Sequence, residues 1–521
     1  MSCLAPEQET AIEQTATPYD DAAPADSLAD SVLVMLTLVI VQRLIGFGRG
    51  VIFCRWLNPE QLGQWDLALG FLSLAAPVAV WGIPGSFGRY VEHYRQRGQL
   101  RMFLRRTLTV CAVLTAIAVA LLSLRPRWIS EVIFGVPDQA RMVWLITASL
   151  AAVIAFNLLS DLFTALRRFR MVSLLQFVQG LLFALLGLGL LLNWTQTASG
   201  VVAAYGGSCL IAVLLFSARL RAIWKRLPTE NVIQPHRALW GKLMPFAIWV
   251  WVTNWLWNLF VLVDRYMIIH YSGLDHAEAL VQVGNYHSSR VVPLLMFSVA
   301  TMLASVLLPH LSHDWESGRR KEVSDRLNLA IKLLGLGLTS AAVFILLVGP
   351  WLFEVAFAGK YSGGLQILPY TLMYCVWLGM AGVATNYLWC SERASLGSLA
   401  VLVGLIVNVA LSIILLPRYG LMGAVLATAA ANLAMLTLTY ACSEWLGMRT
   451  DLGKWAITAL PLALCLGAIP SLALVCVVAL AFVSTDWFLS TSDKTELLAV
   501  ARRYLGRLTA LSGSSRLADV R

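Results

Sequence analysis

Residues 395–416 read SLGSLAVLVGLIVNVALSIILL, residues 421–444 read LMGAVLATAAANLAMLTLTYACSE, and Pro417-Arg-Tyr-Gly420 joins them. The first run holds no charged residue and the second only Glu444 at its end. A helix rises about 1.5 Å per residue, so about 20 apolar residues cross the hydrocarbon core of a bilayer. Two such runs around a short Pro- and Gly-bearing turn predict a hairpin of transmembrane helices. The same pattern recurs outward from this pair. Runs fall near 31–52, 63–86, 107–124, 142–164, 172–193 and 198–217, and again near 243–269, 285–309, 328–350 and 365–389. A last apolar stretch, 454–489, is interrupted at Ile469-Pro470-Ser471 and is long enough for a tight hairpin of two. The expected fold is an all-α integral membrane protein of about 14 transmembrane helices.

Composition agrees. The 521 residues are 59% hydrophobic and 13% charged, whereas a soluble domain carries about 25% charged residues. The formal charge of +10 does not indicate nucleic acid, because Lys and Arg sit in short loops between the apolar runs, where they set topology. With the N-terminus inside, the inner segments hold 29 of the 39 basic residues. The basic segment 490–521 would also lie inside, which requires an even number of spans and favours the hairpin at Pro470. Residues 1–30 hold seven acids and no Lys or Arg, the reverse of a signal peptide, and read as a disordered acidic tail. The nine cysteines form no C-x-x-C pair, so no metal or cofactor is expected. No G-x-x-x-x-G-K-[ST] loop is present to bind a nucleotide.

The chain also carries traces of duplication. Gly63-Gln-Trp65 and Gly284-Asn-Tyr286 stand 221 residues apart, and Gly200-Val-Val-Ala-Ala-Tyr205 and Gly423-Ala-Val-Leu-Ala-Thr428 stand 223 apart. The offsets suggest two six-helix lobes, 31–225 and 243–444, with two added helices at 454–489 and a basic cytoplasmic tail at 490–521.

The order of motifs resembles a known family. Arg43-Leu-Ile-Gly-Phe-Gly-Arg49 with Arg55-Trp-Leu-Asn-Pro-Glu-Gln-Leu-Gly-Gln-Trp65 is similar to the first hairpin of bacterial polysaccharide flippases. Gly82-Ile-Pro-Gly-Ser-Phe-Gly-Arg-Tyr90, Asp264-Arg265 with Val283-Gly-Asn-Tyr286, and Pro417-Arg-Tyr-Gly-Leu-Met-Gly-Ala424 resemble later parts of the same proteins. Together they cover roughly 31–444 and point to the polysaccharide transporter family of the multidrug/oligosaccharidyl-lipid/polysaccharide exporter superfamily. The resemblance implies two six-helix lobes around a central cavity open to one side at a time. It implies a polyprenyl-diphosphate-linked oligosaccharide as cargo, delivered to the outer leaflet of a bacterial inner membrane for O-antigen or exopolysaccharide assembly. Membrane lipids, a polysaccharide polymerase and glycosyltransferases are the implied partners, with neither nucleic acid nor catalysis. A local resemblance is to lipid II flippases, through Tyr286-His-Ser-Ser-Arg290-Val-Val-Pro and Leu307-Leu-Pro-His-Leu-Ser312. By match, Arg43, Arg49 and Arg290 would line the cavity and bind substrate; His287 stands where that family has a small polar residue.

Depth supports the arginines. From a start at Ser31, Arg43 lies about 18 Å and Arg49 about 27 Å along the first helix, and Arg290 about 8 Å below the outer surface. A charge at the bilayer centre costs about 3 kcal/mol, so an anionic partner is expected, and a diphosphate accepts the guanidinium fork. Arg43 and Arg49 would point about 120° apart on a straight helix unless Gly46, Gly48 and Gly50 allow a bend. Arg55 and Arg265 read first as snorkelling to the outer interface, and for Arg49 snorkelling stands as the alternative to the cavity. Asp264 is a candidate coupling acid, the alternative being a pair with a neighbouring arginine. Asp161 is expected to pair with Arg167, Arg168 or Arg170. Trp249, Trp251, Trp255 and Trp257 read first as an interfacial belt and second as sugar-stacking surfaces. Two other functions remain: a drug or cation antiporter, which would favour buried acids, and a membrane glycosyltransferase or O-antigen ligase, which would need a large outer loop where the longest here is about twenty residues.

Overall fold

The computed structural model describes residues 28–193, 196–227, 235–449 and 452–484; the acidic tail and the segment 490–521 lie outside the described residues. In chain order the helices are α1 (Leu28–Trp56), α2 (Pro59–Ala79), α3 (Phe87–Gln96), α4 (Leu100–Leu124), α5 (Pro126–Phe134) and α6 (Ala140–Ala165). There follow α7 (Phe169–Asn193), α8 (Ala198–Arg226), α9 (His236–Tyr271), α10 (His276–Arg290), α11 (Pro293–Glu316) and α12 (Arg320–Trp351). The last are α13 (Ser362–Cys390), α14 (Ala394–Tyr419), α15 (Leu421–Trp445), α16 (Leu452–Ala459) and α17 (Ala468–Ser484). Twelve helices among the described residues are long and apolar enough to cross a membrane. No described residue lies in a strand, as expected where every backbone polar group must be satisfied within its own segment. The chain is a multi-pass membrane protein. Its helix α13 is enclosed by the others, with 83% of its apolar stretch buried, against 11% for α1 and α4, which face outward.

Departures from the expected boundaries have local causes. The second run, expected over 63–86, ends as helix at Ala79 because Trp81 and Gly82 take positive φ. At Gly82 an added Cβ would meet the Trp251 Cβ at 2.6 Å, so only glycine lets the end of α2 approach α9 this closely. The chain then enters α3, whose Phe87, Tyr90, Val91 and Tyr94 are buried while Arg89 and Arg95 are exposed. That i, i+3, i+4, i+7 spacing makes α3 an amphipathic helix.

The eighth run is two helices, broken at Val291-Val292 ahead of Pro293. Proline has no N–H to donate and disfavours helical φ/ψ in the residue before it. Helix α10 starts at His276, nine residues before the expected 285. Arg290, the last residue of α10, therefore sits about 21 Å along that helix.

The C-terminal apolar stretch forms two arms that both pack on α12. The break falls at Gly467, with φ 97°, and not at Pro470. Pro470 occupies the third position of α17, within the first turn, where its missing N–H has no helical acceptor. The Ser471 hydroxyl donates to Ala463 O at 2.7 Å and ties the turn. The first arm is α16 followed by a 3₁₀ segment, Leu460–Leu466. The 3₁₀ rise of about 2.0 Å per residue stretches this arm to about 26 Å, matching α17 and close to the core thickness.

The matched glycines of the two halves meet. A Cβ on Gly63 would lie 2.1 Å from Leu280 O, and one on Gly284 would lie 1.9 Å from Pro59 O. Helices α2 and α10 thus cross backbone to backbone, the small-residue packing by which membrane helices associate.

Candidate substrate pathway

Beside this crossing lies a buried polar network. Asp66 of α2 is 2% exposed. It accepts from Arg265 Nε of α9 and from His287 Nδ1 of α10, the latter at 2.8 Å. Asp264 of α9 accepts from Tyr286 Oη at 2.7 Å and from Asn408 Nδ2 of α14 at 2.8 Å. Tyr286 Oη lies 3.2 Å from Tyr374 Oη of α13, and the Arg290 guanidinium lies 5.2 Å from the Tyr286 ring centroid. Two carboxylates thus share a low-dielectric site with two guanidiniums. Arg290 is 5% exposed, and its Nε and one Nη have no hydrogen-bond partner among the described residues. Further out, Arg55 Nη1 donates to Val355 O at 2.7 Å, Lys360 Nζ to Arg55 O at 2.7 Å and Tyr361 Oη to Leu57 O at 3.0 Å. These contacts join the α1–α2 turn to the segment between α12 and α13 and, with the basic loops inside, close the outer side.

Two chambers lie toward the opposite ends of the same helices. The larger, about 690 Å³, is walled by Trp249, Asn254 and Trp257 of α9, Thr301 of α11, and Asn386 and Trp389 of α13. The smaller, about 530 Å³, is walled by the end of α2, by Asn157 and Asp161 of α6, Tyr205 of α8, and Asn254 and Asn258 of α9. Both volumes fall in the range of ligand sites. Val250 and Asn254 line both, so α9 is the partition between them. With the basic loops inside, both chambers occupy the inner half and the ionic network the outer half.

Several sequence expectations change here. Arg265 does not snorkel; it is buried against Asp66. Arg55 is exposed but bonded across the outer seal. Asp264 pairs with no arginine; both its oxygens are held by Tyr286 and Asn408. Asp161 makes no ion pair with a described residue and stands exposed in the smaller chamber. Of the four tryptophans, Trp249 and Trp257 line the larger chamber, while Trp251 and Trp255 stack with ring centroids 6.2 Å apart.

The proposed substrate arginines are not gathered in one place, and none lines either chamber. Arg43 falls mid-way along α1 and is exposed. Arg49 lies 4.1 Å over the Phe183 ring, which in turn packs on Tyr205, a wall of the smaller chamber. Gly50 approaches Val291, so α1 runs beside the break that carries Arg290. Arg290 itself lies seven residues, about 10 Å of helix, outward of Phe297 at the larger chamber. The residue missed by sequence reasoning is Asp66. Its signal was present: it is the one charged residue in the run 63–86.

Known proteins agree with this architecture. The family model for lipid II flippase MurJ matches residues 281–495. An uncharacterized membrane protein of Bacillus subtilis, YabM, is 28% identical over 213 residues, 40% of this chain and 39% of that relative, so the match spans less than half of it. The fold resembles that of the lipid II flippase MurJ in an inward closed conformation, with TM-score 0.67 at 13% identity over 87% of this chain and 97% of the other. It also resembles an inward-facing multidrug resistance transporter of the MATE family in the MOP superfamily, with TM-score 0.58 at 14% identity over 80% and 98%. Both are transporter folds. The model of the polysaccharide biosynthesis protein family matches residues 28–315, more than half of the chain, and the chain belongs to that family.

Proposed function

We propose that this protein is a flippase that moves a polyprenyl-diphosphate-linked oligosaccharide from the inner to the outer leaflet of a bacterial inner membrane, in polysaccharide assembly. The observation that carries the reading is Arg290. It is a buried guanidinium with two nitrogens unpartnered, set outward of a chamber large enough for a sugar chain. A buried cation with unused donors calls for an anion, and a diphosphate accepts two parallel N–H bonds from arginine. The saccharide occupies the inner chambers, and the diphosphate reaches Arg290 when the outer seal parts. Arg43 and Arg49, on the helix beside it, are further stations for the same group. A carrier with about two negative charges leaving a negative-inside cell gains about 2.3 kcal/mol per charge per 100 mV. An ion-coupled cycle through Asp264 requires that acid to leave Tyr286 and Asn408 first. A polymerase and glycosyltransferases are the expected neighbours in the membrane.

Arg290→Ala is expected to cut polysaccharide export by at least about tenfold while the protein still accumulates, since losing a buried charge contact costs about 2 kcal/mol or more. Arg290→Lys should restore only part, because an ammonium lacks the fork. The check is surface polysaccharide per unit of membrane-inserted protein. Unchanged export in Arg290→Ala would remove the diphosphate site from this position.

A further inference from the structure

The distribution of charge between the chambers and the arginines says something about the sugar. Among the described residues, the walls of the larger chamber contain no Asp, Glu, Lys, Arg or His, and those of the smaller contain one ionisable acid, Asp161, and no base. Every arginine discussed above lies outside both. A carboxylate on the sugar would leave water for a protein-walled space with no counter-cation. Burying an unpaired charge is costly, and at the smaller chamber it would also face Asp161. A neutral sugar meets neither penalty. Its hydroxyls find Asn254, Thr301 and Asn386, and its apolar ring faces find Trp249, Trp257 and Trp389, whose rings combine flat apolar area with one N–H. Trp249 and Trp389 are 53% and 56% exposed, so their faces are open to a ligand.

Building on the flippase reading, we infer that the carried glycan contains no acidic sugar, and that the larger chamber selects it by stacking on Trp249 and Trp257. The anionic and neutral parts of the cargo are then recognised in separate places. The diphosphate is held by arginine on the outer side, and the glycan by tryptophan and amide groups on the inner side.

The test is equilibrium binding to the purified full chain in lipid nanodiscs. The probes are a polyprenyl diphosphate carrying a neutral oligosaccharide, the same compound with one hexose replaced by its uronic acid, and the bare polyprenyl diphosphate. The neutral probe should bind at least about tenfold more tightly than the uronate, the factor expected from one uncompensated charge near a carboxylate. Asp161→Asn should narrow that gap. Trp249→Ala combined with Trp257→Ala should bring the neutral probe to the affinity of the bare carrier. Equal or tighter binding of the uronate overturns the inference, and so does a neutral glycan that adds nothing to the bare carrier; both leave the flippase reading standing. If none of the probes binds, the flippase reading fails and the inference fails with it.

Discussion

Gly284→Ala is expected to destabilise the protein by about 2 kcal/mol or more and to abolish export, because overpacking alone costs about 1–3 kcal/mol even where side chains can yield. Here nothing can yield. The added Cβ would sit 1.9 Å from Pro59 O and 2.7 Å from the Pro59 carbonyl carbon, both backbone atoms. Helices α2 and α10 would have to separate, and their separation would reach the Asp66–His287 contact, which bridges the same pair. Gly63→Ala should behave alike, with its Cβ 2.1 Å from Leu280 O. Gly337→Ala is the control, since nothing lies within 4 Å of its Cβ position. The measurement is the unfolding midpoint of the detergent-solubilised protein beside export in cells. A Gly284→Ala protein as stable as Gly337→Ala would mean that the crossing is looser than described.

The second large effect concerns Asp66. Asp66→Ala leaves Arg265 buried without its carboxylate and His287 without its acceptor, and breaking a buried pair from one side costs about 3–5 kcal/mol. Replacing both partners by apolar residues of similar volume is often close to neutral. The double variant Asp66→Leu with Arg265→Met should therefore be more stable than either single variant. Export should remain lost in all of them. The pair joins α2 to α9 just inward of the seal made by Arg55, Lys360 and Tyr361, and on the proposed flippase reading the transport cycle breaks and remakes it. Chemical unfolding of the singles and the double gives the coupling energy. Additive losses would show that Asp66 and Arg265 do not act as a unit. Export restored in the apolar double would show that the pair takes no part in the cycle.

The helices were legible because hydropathy is a one-dimensional signal. Runs such as 395–416 read directly as spans. The glycines Gly63 and Gly284 stood out in the sequence as a matched pair, and each admits the backbone of the other's helix. The ionic network was not legible. Asp66 and Arg265 are 199 residues apart, and no local rule says which distant charge will partner a buried one. Arg265 consequently read as a snorkelling side chain, and Asp66 passed unnoticed. The break at Val291-Val292 was hidden because Val-Val-Pro continues the apolar pattern, although Pro293 carried the warning. The tryptophans of α9 defied a sequence reading for a different reason. Trp249 and Trp251 stand two residues apart, so they point to different sides of a helix. Only the neighbouring helices decide which side meets a chamber.

Reconstitution tests whether this chain carries a lipid-linked oligosaccharide across a bilayer. Proteoliposomes are prepared with polyprenyl-diphosphate-linked neutral oligosaccharide in both leaflets, and a glycosidase is added outside only. Vesicles with the wild-type chain are expected to expose their inner-leaflet pool, so that digestion proceeds to completion. Vesicles with Arg290→Ala should stop, like empty ones, once the outer leaflet is spent. Digestion that halts at the same point with and without the wild-type protein, under an imposed membrane potential as well as without one, would contradict the account.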